Sequence, residues 1–424
     1  MLSRYPVISL YLQPKVIAVL FLGIASGLPR LLILSTLTIW LTEVGINHTT
    51  IGVLSAVSLP YAIKFLWSPL IDQLHIPYLT RKFGRRRSWL FILQILLAAS
   101  IFLMGTSNPA ENIALTAMFA FLIAFFSASQ DIVIDAYRVE ILKEDQQGAG
   151  AAMIVLGYRI GMLIASAGGL YIASYAGWFA TYLTMAIIIF VGSITAFFIG
   201  EKKYIPEDKK TAKEWIKHAV IDPFSNFITR RGWYLILLFI VLYKFGDAFS
   251  SVMSGVLYIE LGYSKNEIAS VGKIFGFAAI IAGAITGGSV ISRMGIYKSL
   301  FIFGILQMVS TAVFMLLTYV GYNIPLLAFT IGFENFTSGM GTAAAIAYMS
   351  DLCDKEYTAT QYALFSSFSA FALSLLSAPS GWFVEQLGWI NFFLLSTVIA
   401  IPGLFLIILI WKMDDKSKKY SKIT

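Results

Sequence analysis

The chain has 424 residues, 58% of them hydrophobic and only 13% charged, with a formal net charge of +8. A soluble domain holds roughly 25% charged residues, so this composition excludes an ordinary water-soluble enzyme or nucleic-acid-binding module. The basic excess is read as loops facing anionic lipid headgroups, and the single cysteine, Cys353, excludes an internal disulfide.

A hydrocarbon core of ~30 Å needs ~20 apolar residues in a helix. Twelve runs of that length follow one another, starting near residues 16, 49, 88, 112, 148, 178, 233, 266, 299, 324, 359 and 389. The first, from Val16 to Leu41, is longer than the core of a cleaved signal and lacks a small-residue cleavage site, so it reads as a span. With both termini placed in the cytoplasm, 25 of the 31 Lys and Arg fall in inner segments, as cytoplasmic loops require. Arg30, Lys64, Arg159, Lys244 and Lys273 fall within spans, and Lys265 in an outer loop.

In chain order, the first span carries Arg30, and the second carries Lys64 and closes near Asp72. An inner loop then leads through Gly84-Arg85-Arg86-Arg87 into the third span. The fourth ends on SASQDIVIDAYRVE (127–140), which places Asp131 and Asp135 four apart on one helix face, with Arg138 three further on. Lys64 lies eight residues before Asp72, at about the depth of Asp131, so a Lys64–Asp131 pair is expected. The fifth span holds Arg159. A polar connection at 201–232 divides the chain into a six-helix bundle at 1–200 and another at 233–412, followed by a basic tail at 413–424. In the second bundle, Lys244 and Asp247 lie three apart on the seventh span, Lys273 falls in the eighth, and Glu334-Asn335 in the tenth.

At an offset of 211 residues, Gly177-Trp178 matches Gly388-Trp389 and Ala136-Tyr137 matches Ala347-Tyr348, which points to a duplicated half. The third, sixth, ninth and twelfth spans carry no charge in their apolar stretches. Every third helix is then expected against lipid, with the others around an aqueous cavity, because charge within a bilayer costs roughly 2.5 to 3.5 kcal/mol per group unless it faces polar surroundings. The glycine-rich runs at 148–161, 282–288 and 334–341 allow close helix approach or bending. Trp40, Trp67, Phe336 and Tyr348 could stack on sugar rings or serve as packing.

These positions sort by role. Lys64, Asp72, Arg85 and Arg138 are gate candidates at the cytoplasmic end. Arg30, Gln130, Arg159, Lys244, Asp247 and Asn335 are substrate-contact candidates. Glu334, Asp131 and Asp135 are candidates for carrying protons, because a carboxylate that loses water as a cavity closes binds a proton more readily. Glu334 leads that group, since Lys244 beside Asp247 holds the latter ionised. No catalytic nucleophile, nucleotide-binding loop or metal cluster is expected, so no cofactor is expected either, and His48, His75 and His218 all sit in or beside loops. Energy then comes from a gradient.

The inner loop from Ser68 to Leu90, with Asp72 and Gly84-Arg85-Arg86-Arg87, resembles the acidic-then-basic loop of the major facilitator superfamily. More specifically, LGIASGLPR (22–30), KFLWSPLID (64–72), FGRRRSWL (83–90), SASQDIVIDAY (127–137), GAGAA with GYRIGML (148–163), YKFGDAF (243–249), FENFTSGMGT (333–342), TATQYALFSS (358–367) and GWFVE (381–385) look like the AmpG family of muropeptide permeases. The resemblance spans nearly the whole chain. It implies an all-α major facilitator fold and a monomeric, multi-pass protein of the bacterial inner membrane. It also implies proton-driven import of N-acetylglucosamine-1,6-anhydro-N-acetylmuramic acid, with or without its stem peptide, from periplasm to cytoplasm for cell-wall recycling. Arg30 departs from the apolar residue expected of the family there and would favour an anionic ligand. The alternative is a related permease for another anionic or amphiphilic solute, such as an acyl-CoA or a peptide. A sensor that binds a wall fragment without moving it would need a folded cytoplasmic domain, which the longest inner loop is too short to supply.

Overall fold

Helix ends in this chain are set by residues that release or satisfy the backbone. Asn112 and Asn323 each accept a hydrogen bond, both at 2.9 Å, from the amide three residues on, that of Leu115 and of Leu326. Each thereby caps a long helix, Ile113–Ile141 and Ile324–Leu352. Gly84 and Gly295, at φ 95° and 80°, turn the chain into the helices Arg85–Thr106 and Ile296–Val320. The computed structural model describes residues 6–46, 50, 54–201, 221–230, 232–264 and 267–420. His48, His218, Lys265, most of the 201–232 connection and the side chains of Lys273 and of residues 414–424 lie outside what is described.

The architecture is all-helical, with twelve membrane spans in two six-helix halves. Nine helical stretches among the described residues are long and apolar enough to cross a bilayer. One of them, Glu144–Ile199, runs through a backbone break at Gly177 and at 56 residues serves two spans, while Ser380–Met413 breaks at Gly388 and carries the twelfth span beyond it. The polar 29-residue helix Ile324–Leu352 supplies the tenth span. The second is broken: a 3₁₀ turn at Ser55–Ser58 precedes the short helix Leu59–Ile63, and another at Lys64–Leu66 separates it from Ser68–Gln73. Pro60 and Pro69 lack the amide donors that a continuous helix there would use.

By contacts the chain divides into two units, the first comprising 1–146, 153–224 and 353–367, the second 147–152, 225–352 and 368–424. Within the first, Gly23 and Gly27 of the opening span meet Gly157 and Gly161 so closely that an added Cβ would overlap backbone atoms of the facing helix. Within the second, Gly283 and Gly339 play the same part between the eighth and tenth spans. The glycine-rich runs therefore serve as contact stripes.

The two halves repeat one plan at the 211-residue offset. Gly84 and Gly295, Asn112 and Asn323, and Gly177 and Gly388 occupy equivalent helix boundaries, the last two with φ of 83° and 72°. The following tryptophans each donate Nε1–H to a glutamate at 2.7 Å, Trp178 to Glu43 and Trp389 to Glu260. Large apolar side chains stand exposed along the spans expected against lipid, among them Ile95 and Phe102, Ile187 and Phe198, Val309 and Leu316, and Leu394 and Phe405. Such rows are stable in contact with hydrocarbon.

Candidate functional site

In the first unit, Arg30 ends the helix Pro14–Leu31 just before a π turn at Leu32–Thr36. Its side chain is exposed, and Nη1 donates to Tyr158 Oη at 3.2 Å. The guanidinium also lies 5.6 Å from the centre of the Tyr61 ring. Two tyrosines from different helices thus hold one cation in place. Arg159 follows Tyr158 on the fifth span and is half-buried. Asp131 accepts a 2.6 Å hydrogen bond from Ser26 Oγ.

Lys64 is buried and pairs with Asp135 at 3.8 Å, so the expected Lys64–Asp131 pair is corrected by one helical turn. The depth comparison assumed a regular second span. The span instead breaks at Lys64–Leu66, between the helices Leu59–Ile63 and Ser68–Gln73, so residue counting along one regular helix does not fix the height of the lysine, and Lys64 meets the carboxylate one turn further along. Gln130 is fully buried: its Oε1 accepts from Gln94 Nε2 at 3.0 Å and its Nε2 donates to Ala25 O at 2.9 Å. Gln94 Oε1 in turn accepts from Ser193 N at 2.6 Å. This network joins four helices, with Gln130, a substrate-contact candidate, at its centre.

Of the other gate candidates, Asp72 and Arg138 are buried and Arg85 partly so. The Asp72 carboxylate, with no exposed surface, accepts from Arg86 Nη2 at 2.6 Å, lies 3.8 Å from Arg85, and receives both the amide and the hydroxyl of Thr360 at 3.0 Å. Thr360 sits in the first turn of the helix Thr358–Ser377, so Asp72 satisfies an amide that the helix itself cannot. Arg86 also binds Glu140 through Nε at 3.1 Å and Nη2 at 2.6 Å. Arg138 is fully buried, its guanidinium 5.3 Å from the Tyr362 ring centre. Beside Gly84, the Glu201 carboxylate accepts the amides of Arg86 and Arg87 at 3.1 and 3.0 Å and so caps the helix Arg85–Thr106. Burial pushes the Glu201 carboxyl above the usual glutamate range, against the pull of those two amides.

In the second unit, the seventh span breaks at Lys244, between the helices Trp233–Leu242 and Phe245–Glu260. The break places Asp247 in a first helical turn, where the helix dipole favours a negative charge. Lys244 Nζ lies 2.6 Å from Asp247 Oδ2, 3.2 Å from Ser338 Oγ and 3.3 Å from Gln307 Oε1. Ser338 donates to the same Asp247 oxygen at 3.0 Å, which closes a triangle. Four residues before Ser338, Glu334 accepts from Asn335 Nδ2 at 2.9 Å, and that nitrogen also donates to Ile331 O at 2.9 Å.

The substrate and proton candidates therefore divide between the units, Arg30, Gln130, Arg159, Asp131 and Asp135 in the first, with the gate candidate Lys64 beside Asp135, and Lys244, Asp247, Glu334 and Asn335 in the second. Reading for charge passed over the neutral groups that orient them, Ser26, Tyr61, Tyr158, Gln94, Gln307 and Ser338. Their one signal in the sequence is a hydroxyl or amide within an apolar run. Of the aromatic residues considered for sugar stacking, three are engaged in packing. Trp40 stacks on Trp178 at 5.5 Å, Trp67 donates to Ser129 at 2.9 Å, and Tyr348 meets Phe239 at 5.3 Å.

Residues 19–322 and 244–423 match the sequence model of the Major Facilitator Superfamily. The chain is 40% identical over 410 residues to the anhydromuropeptide permease of Escherichia coli K12, covering 96% of this chain and 82% of that protein. It is 37% identical over 397 residues to a Rickettsia conorii protein named as transporter AmpG 4, covering 93% and 95% of the two chains. Among solved structures, the E. coli fucose:proton symporter FucP superposes with a TM-score of 0.68 at 14% identity, over 93% of this chain and 97% of that one. The human organic anion transporter MFSD10 superposes with a TM-score of 0.67 at 14% identity, over 93% and 99%. The chain belongs to the major facilitator superfamily and, within it, to the AmpG family of anhydromuropeptide permeases, which are transporters and not enzymes.

Proposed function

We propose that this protein imports anhydro-muropeptides, the N-acetylglucosamine-anhydro-N-acetylmuramic acid disaccharide with or without its stem peptide, from periplasm to cytoplasm, together with protons and by alternating access. The observation that carries this reading is the 40% identity to the E. coli anhydromuropeptide permease across 96% of the chain. The site chemistry agrees with it. Arg30 presents an exposed guanidinium steadied by Tyr61 and Tyr158, suited to a carboxylate of muramic acid or of a stem peptide. Arg159, Lys244, Asp247 and Asn335 supply further charged and amide groups for a ligand rich in hydroxyls and amides. Glu334, Asp131 and Asp135 are the carboxylates through which protons would move.

Lys64, Asp72, Arg85 and Arg138 act as the gate in this reading, since a buried ion pair has two discrete states, made or broken. The Lys and Arg distribution supports both termini in the cytoplasm, and in this reading the protein works as a monomer in a bacterial inner membrane. Counterflow in proteoliposomes tests the substrate class. Vesicles preloaded with unlabelled disaccharide-tripeptide are expected to concentrate the labelled compound, while vesicles preloaded with an acyl-CoA or a free peptide do not. Counterflow with either of the latter and not with the muropeptide would overturn the assignment.

A further inference from the structure

Asp247, the acidic member of the Lys244–Asp247 pair, borders a cavity within the second unit with room for about one water molecule. Tyr243, Asp247, Gln307 and Thr311 line it, with Ala400 and Leu404 on the apolar side. Two of the lining residues carry a buried polar atom with no hydrogen-bond partner among the described residues, Tyr243 Oη and Gln307 Nε2, and both side chains are more than nine-tenths buried. Stranded donors of this kind are costly, and a cavity of this size and polarity is where an ordered water satisfies them. Gly341 makes room for the Gln307 amide, since a Cβ there would lie on it.

We infer that this cavity holds a water bridging Tyr243, Gln307 and Asp247, and that through it Asp247 takes up a proton when an anionic group of the substrate draws Lys244 away. The inference rests on the proposed substrate class and adds a coupling carboxylate to it. The pair is electroneutral as it stands, one ammonium against one carboxylate at 2.6 Å. An anion arriving alone would leave two negative groups around one ammonium, and a proton arriving alone would leave an unpaired cation. Either net charge is expensive away from bulk water. Taken together, one proton on Asp247 and one anion on Lys244 restore neutrality, so each is admitted only with the other. In that step a proton from the periplasmic side reaches the bridging water as the water passes one of its own to an Asp247 oxygen, so the water is left neutral and the Lys244 ammonium keeps its own protons.

The groups facing Asp247 fit this exchange. Lys244 and Tyr243 come from its own span, Gln307 from the ninth, and Ser338, with Glu334 one turn before it, from the tenth. The twelfth span offers only Ala400 and Leu404 to the cavity. Lys244 is thus the cation in contact, and Ser338 can keep its hydrogen bond to Asp247 after the lysine leaves.

Two measurements test the inference. Infrared difference spectra of the whole protein without ligand should show a protonated-carboxyl band at neutral pH in Lys244→Met, or in Lys244→Gln if the first variant does not fold. The band should be absent in the native protein, lost on adding Asp247→Asn, and moved to higher frequency on adding Tyr243→Phe, which weakens the water's hold. Neither lysine variant giving a band that depends on Asp247 would overturn the inference. Separately, binding of disaccharide-tripeptide to native protein in detergent should take up one proton more per ligand than binding to Asp247→Asn; equal uptake would also overturn it. If native protein binds none of this ligand, the substrate reading falls, and the infrared result alone decides the fate of the ion pair.

Discussion

Replacing Asp72 by alanine has an effect that can be worked out group by group. The carboxylate serves four donors: Arg86, Arg85, and the amide and hydroxyl of Thr360. Arg86 keeps Glu140 through two hydrogen bonds, so it is not stranded. Arg85 is 3.8 Å away and partly exposed, and loses little. The loss therefore falls on Thr360, whose amide, in a residue only 2% exposed, has no other acceptor in its first helical turn. A hydrogen bond to a charged group contributes ~1.5 to 3 kcal/mol. At ~1.4 kcal/mol per factor of ten, the Thr360 amide should exchange with solvent roughly ten to a hundred times faster in Asp72→Ala. Asp72→Asn retains an acceptor without the charge and should fall between. Hydrogen–deuterium exchange read on the peptide covering residues 353–367 measures this directly. Native protection in a folded Asp72→Ala protein would refute the reasoning, as would a loss of protection spread evenly over the first unit.

Three further outcomes follow from the same structure. Arg86→Met leaves Asp72 and Glu140 without their shared buried partner and should cost about 3 to 5 kcal/mol, whereas Arg85→Met should cost under ~1 kcal/mol; denaturation in detergent ranks them, and the reverse order would contradict the contact geometry. Gly157→Ala and Gly283→Ala each drive a methyl into the facing backbone and should cost about 1 to 3 kcal/mol. Gly255→Ala, with no neighbour within 4 Å, should be neutral or slightly stabilising in the same assay. Because burial raises the Glu201 carboxyl above the usual range, its contribution to stability is complete below the unfolded-state value and is lost as pH rises through the folded-state value. Thermal midpoints of the native protein should therefore decline across that window while those of Glu201→Gln do not; parallel profiles would show that Glu201 is not the titrating group.

The fold was legible in the sequence because hydrocarbon is an exacting solvent. It demands long apolar helices, so composition alone marked out twelve spans, and the shared 211-residue offset of two short matches exposed the duplication that the asparagine caps and glycine breaks then extended. The charged members of both clusters were visible for the same reason, since charge within an apolar run stands out. What could not be read was contact at the scale of one helical turn. Pro60 and Pro69 break the second span, and no count of residues along a regular helix would have placed Lys64 against Asp135. The partners of Gln130 were equally hidden, because a buried amide that ties helices together and one that meets a ligand look alike until the partner, here Gln94, is seen. Tyr61, Tyr158 and Ser338 are common residue types whose importance comes only from the charge that each one touches.

The most direct test of the account is uptake of labelled disaccharide-tripeptide into proteoliposomes that contain the native protein, with and without an inward proton gradient. The account predicts accumulation above the external concentration when the gradient is present, collapsing to simple equilibration when a protonophore dissipates it. Folded protein that takes up nothing would contradict the substrate, and uptake to equilibrium that ignores the gradient would contradict the coupling.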